Sequence, residues 1–134
     1  MPAAPFDWSE YLRLAGELGR RADEASLRSA ISRAYYYVYH LAMARAEANS
    51  FKPVGGEGTH TQLWRLFSMS PEPDCQRLAR IARRLKAQRE RADYENYFAR
   101  VVEEVPALLE DVQEFVGLLA RLHPRHPSPS SMRQ

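Results

Sequence analysis

The residues of this chain best suited to chemistry stand on one short stretch, Ser32-Arg33-Ala34-Tyr35-Tyr36-Tyr37-Val38-Tyr39-His40. An imidazole titrates near neutral pH and can take or give a proton, whereas a guanidinium stays charged and can offset a developing anion. Arg33 and His40 are seven positions apart. On a helix they therefore project within roughly 20° of each other, with Tyr36 and Tyr37 between them on either side. A helix face rich in Tyr, Arg and His is either buried on most sides or lines a site.

The element that must carry this face runs over residues 25–49. It holds no Gly or Pro, and Leu27, Ile31, Ala34, Val38 and Leu41 recur at spacings of three and four. That pattern predicts a long amphipathic helix with Asp23 as its cap. Before it, Asp7 with Glu10 forms a candidate capping box, and Trp8, Tyr11, Leu12, Ala15 and Leu18 share one stripe, predicting a helix to about Ala22. A tight turn should make these two helices antiparallel neighbours. Ser50 to Gly58, with a Pro and several Gly, reads as a loop. Thr59 to Met69 reads as a short helix presenting Leu63, Trp64 and Phe67.

Asp74 then caps a fourth helix with the stripe Leu78, Ile81, Ala82, Leu85 and Ala92. Arg89 falls on that stripe and so needs a partner or a ligand. Around it, Arg77, Arg80, Arg83, Arg84, Lys86 and Arg91 form the one clustered basic stretch. The last helix, from about Tyr97 to Leu122, includes Phe98 in its apolar period, carries acidic residues on its exposed side, and contains Pro106. A kink near Val102 is expected there. No stretch alternates like a strand. The expected fold is all-α, an antiparallel up-down bundle of four long helices plus one short helix, in a single domain over residues 1–123 with a disordered Pro- and Ser-rich tail at 124–134.

Composition narrows the class further. The 134 residues suffice for a core without a disulfide, and the single cysteine, Cys75, leaves no internal disulfide and no multi-cysteine zinc set. The first residues lack the pattern of a secretory signal, no apolar run is long enough to span a bilayer, and the expected setting is a reducing cytoplasm. A net charge of +2 is too small to argue for nucleic acid by itself.

The set Ser32-Arg33-Ala34-Tyr35-Tyr36 with His40, then a loop and His60, then Leu85, Arg89 and Ala92-Asp93-Tyr94 resembles the HEPN family of small helical domains, over roughly Trp8 to Tyr97. The resemblance implies a homodimeric bundle that often accompanies a nucleotidyltransferase partner in toxin–antitoxin and defence systems. It also implies RNA cleavage with neither metal nor cofactor, by an Arg and a His with four to six residues between them. Arg33 and His40 have that spacing and are the implied catalytic pair. Tyr36, Tyr37, His60, Arg89 and Asp93 are the supporting candidates for RNA or nucleotide binding. In this scheme His40 moves the proton of a ribose 2′-hydroxyl or of the leaving oxygen, Arg33 offsets the phosphate charge, and tyrosines stack on unpaired bases.

Each residue also has a structural reading. Arg33 can pair with Asp93, with Arg89 in the same network. His40 can be a hydrogen-bonded interface histidine, several of the tyrosines can be core or dimer packing, and His60 can begin or cap the short helix. The fourth-helix arginines can be a solvated face. The alternative function is a catalytically inactive dimerising or nucleotide-binding accessory module.

Overall fold

The structure is a computed structural model that describes residues 4–129. Among them stand five helices and no strand: α1 (Ser9–Leu18), α2 (Glu24–Ala48), α3 (Thr59–Ser68), α4 (Pro73–Tyr94) and α5 (Val101–Arg121). The chain is therefore all-helical, with three long helices and two of ten residues each. No helix among the described residues is long and apolar enough to cross a membrane.

Helix α2 is the centre, packed against every other helix, while α4 also packs on α3 and α5. Its start is fixed by Asp23, whose Oδ2 accepts the Ser26 backbone N–H at 3.0 Å. Its inner face buries Leu27, Ile31, Ala34, Tyr35 and Val38 against Leu63, Trp64, Phe67, Leu78, Ile81, Leu85 and Phe115. Arg28 Nη1 donates to the carbonyls of Ala92 (3.1 Å) and Glu95 (2.6 Å), which satisfies the otherwise orphaned end of α4.

Helix α1 departs from the expected span to Ala22 and ends at Leu18. Gly19 follows as its C-cap. A Cβ there would meet Val105 Cγ1 and the Ala15 carbonyl at 3.1 Å each, so the glycine lets the end of α1 approach α5 closely. At the other end the Asp7 carboxylate accepts the Ser9 N–H and hydroxyl, and Glu10 turns to Arg13 instead of closing a capping box. Helix α5 begins later than its apolar period suggests, because Arg100 takes a left-handed conformation (φ 63°) just before Val101. Phe98 is nevertheless buried, beneath the guanidinium of Arg91 at 4.1 Å and that of Arg28 at 5.8 Å. Helix α5 runs through Pro106 without a break.

The start of the tail is held in place, against the disorder its composition suggests. Arg45 donates to the carbonyls of Leu119 (3.0 Å) and His126 (3.1 Å), Asn49 donates to that of Pro124 (3.0 Å), and Pro127 is buried. The rest of that expected tail, 130–134, lies outside the described residues. The basic face of α4 is largely spent within the fold: Arg77 pairs with Glu114, Arg84 with Asp111, Lys86 with Glu90 and Arg91 with Glu95. Of that cluster, Arg80 and Arg83 are exposed and make no ion pair among the described residues, Arg83 donating to the Ser68 hydroxyl at 3.3 Å.

Candidate functional site

Because α1 and α4 both pack on α2, they flank a strip of α2 between them. On a helical projection this strip carries Ser29, Ser32, Arg33, Tyr36, Tyr39 and His40. Ser29 is exposed and the other five are half-buried. The candidates sort into two groups along it, one facing α1 and one facing α3 and α4.

On the α1 side, Trp8 lies parallel to the His40 ring, with centroids 3.4 Å apart and planes 4° from parallel. Neither nitrogen of His40 has a hydrogen-bond partner among the described residues, and burial lowers its pKa from the ordinary imidazole value. Near pH 7 the ring is therefore neutral. Trp8 and His40 also line a pocket of about 260 Å³ with Phe6, Asp7, Ser9, Tyr37, Leu41 and Ala44. Tyr37 belongs to this pocket, and burial there raises its hydroxyl pKa, with Asp7 adding to the effect. Arg33 lies over the Tyr11 ring at 5.0 Å and makes no ion pair among the described residues. The alternative pairing with Asp93 is not formed.

Asp93 belongs to the second group instead. Its Oδ2 accepts the Ser32 hydroxyl at 3.3 Å and lies 3.6 Å from Arg89 Nη1. The guanidinium of Arg89, itself buried, sits 5.5 Å from both the Tyr35 and Tyr36 rings, and its Nε has no hydrogen-bond partner among the described residues. The cost of a charge on an apolar stripe is thus offset by two aromatic faces and one carboxylate. His60 joins the same cluster. Its ring stacks on Tyr39 at 4.0 Å and its Nδ1 lies 2.6 Å from the Tyr35 hydroxyl, which also accepts the Trp64 indole N–H at 3.0 Å. Burial and the positive charges of Arg89 and Lys86 hold the His60 pKa down at about 4. Tyr35 is wholly buried, and burial raises its pKa well above the ordinary phenol value.

Tyr36, His60, Arg89 and Asp93 are thus gathered at one place, while Arg33 stands beside Tyr11 and His40 and Tyr37 beside Trp8. Trp8 as a partner of His40, and the chain from Trp64 through Tyr35 to His60, escape the sequence reading. One signal for the second was present, since a buried indole N–H requires an acceptor and a tyrosine hydroxyl is a common one. Among the described residues no group of three or more His, Cys, Asp or Glu could hold a metal ion. Comparison with protein-family models, with curated proteins and with solved structures gives no match for the chain.

Proposed function

We propose that the protein is a HEPN-type module that binds single-stranded RNA along α2 and cuts it without a metal, working as a homodimer. In this reading it belongs to a toxin–antitoxin or defence system and is restrained by a nucleotidyltransferase-like partner. The observation that carries the reading is the state of the pair on α2. Among the described residues Arg33 is a half-buried cation with no carboxylate partner, and two turns along the same face the neutral His40 has no hydrogen-bond partner at either nitrogen. A neutral imidazole accepts the 2′-hydroxyl proton as its oxygen attacks phosphorus. The imidazolium so formed returns that proton to the departing 5′-oxygen, with the Arg33 and His40 of a second copy completing the cleft across the dimer axis, and a 2′,3′-cyclic phosphate remains. Arg33 offsets the charge that grows on the phosphate oxygens.

The test is incubation of purified protein with single-stranded RNA in EDTA, alongside Arg33→Ala and His40→Ala. Cleavage to cyclic-phosphate ends should fall about a hundredfold or more in each variant. Cleavage that persists unchanged in both would refute the assignment. The inactive accessory module is favoured by one observation, the cover of His40 and Arg33 by Trp8 and Tyr11, and RNA binding without cleavage would establish it.

A further inference from the structure

The hydrogen bonds around Tyr35 determine where the proton of His60 sits. An indole N–H can only donate, so Trp64 gives its proton to the Tyr35 oxygen. The Tyr35 hydroxyl is wholly buried, and His60 Nδ1 is its one other partner among the described residues. Were Nδ1 protonated, the hydroxyl proton would be buried with no acceptor, at the full desolvation penalty of a lost hydrogen bond. The arrangement that satisfies all three groups runs one way, from Trp64 N–H to Tyr35 O–H to His60 Nδ1. The neutral ring then carries its single proton on Nε2, which has no partner among the described residues.

We propose that this relay locks His60 as an Nε2–H hydrogen-bond donor to a phosphate oxygen of the RNA bound along α2, making it a binding residue and not a second acid or base. The proposal rests on the RNA reading given above and goes beyond it in assigning a proton position and a role. Three features support it. The ring plane is fixed by the stack on Tyr39, and the ring edge by Tyr35. The charged and titratable groups facing it are Lys86, Arg89 and Glu90 from α4 and Tyr36, Tyr39 and His40 from α2, a set with an excess of positive charge that favours an anionic acceptor over a neutral carbonyl. Finally, a ring whose pKa stands at about 4 does not exchange protons usefully near pH 7, whereas a fixed donor works at any pH above that value.

The proton position is read first, by long-range proton–nitrogen correlation on isotope-labelled native protein from about pH 8 to about pH 5. His60 should show a protonated Nε2 and a bare Nδ1 throughout, and Tyr35→Phe should give a mixture of both tautomers. Binding is read with inorganic phosphate and with a 2′-O-methylated oligonucleotide that cannot be cut. Phosphate should shift the His60 Nε2–H resonance. Oligonucleotide affinity should fall about tenfold in His60→Ala and stay within about threefold in His60→Gln, whose amide can donate from the Nε2 position. A proton on Nδ1, titration of His60 near the ordinary imidazole value, or equal losses in the Gln and Ala variants would each overturn the assignment. Should the oligonucleotide not bind at all, the RNA reading falls by itself. The phosphate shift then decides whether His60 is an anion donor, and its absence refutes the proposal.

Discussion

Folding stability should fall between pH 6.5 and pH 4, and one substitution isolates the share of that fall that His60 sets. In the unfolded chain this imidazole takes a proton near 6.5, and in the fold it does not do so until about 4. As pH falls through that window the unfolded state binds more protons than the folded one, so stability decreases; above 6.5 both forms are neutral and the difference vanishes. Taken at full strength the gap corresponds to about 3 kcal/mol. The ring is only half-buried, and solvent screening reduces the expected loss to about 1–2 kcal/mol. Urea unfolding of native protein and His60→Gln at pH 7.5, 6, 5 and 4.5 measures it. Asp7, Asp23 and Glu57, whose pKa values are lowered by hydrogen bonds, and the buried His40 contribute equally to both proteins. The difference between the two proteins therefore isolates His60. Native protein should lose about 1–2 kcal/mol more than the variant over this range, and parallel pH profiles would refute the burial and charge assigned to the ring.

Arg89→Ala should destabilise by about 2–4 kcal/mol in thermal or urea unfolding, because it leaves a cavity under Tyr35 and Tyr36 and deprives Asp93 of its cation. Arg89→Met fills the same space without an unpartnered Nε and should stay within about 1 kcal/mol of native. Trp8→Ala uncovers one face of His40, so the imidazole pKa, followed by proton NMR, should rise toward the ordinary value. Arg45→Ala removes the donor to Leu119 and His126, and should cost about 1–3 kcal/mol and expose residues 123–129 to limited proteolysis.

What could be read in the sequence was local, and what could not was set by how helices cross. The span and cap of α2 were legible because Asp23 and an uninterrupted helical period need no tertiary information. Arg89 announced that it needed a partner, since a charge interrupts an apolar stripe. That the partner is mainly two tyrosine faces follows from the crossing of α2 on α4, which no spacing encodes. Asp93 lay within reach of two arginines by pattern, and the fold gives it to Arg89 and Ser32. Phe98 fits the apolar period of α5 yet is buried by two arginines outside that helix. The tail looked disordered because composition counts apolar residues and cannot see that Arg45, on α2, supplies donors to its carbonyls.

The two groups along α2 share one physical device. Imidazole and guanidinium are flat, their polar chemistry runs through the ring edge, and their faces tolerate apolar contact. Trp8 covers a face of His40, Tyr11 a face of Arg33, Tyr39 a face of His60, and Tyr35 and Tyr36 the buried side of Arg89. The fold leaves both nitrogens of His40 and Nε2 of His60 without a hydrogen-bond partner, and Arg33 without a carboxylate, among the described residues. A core built only for stability would be expected to pair the cation and satisfy the nitrogens, because unpaired polar groups are costly where water is scarce. Here the aromatic residues carry the packing, and His40, His60 and Arg33 keep hydrogen-bonding capacity. That division of labour is how a bundle can hold polar side chains rigidly while leaving them available to a ligand.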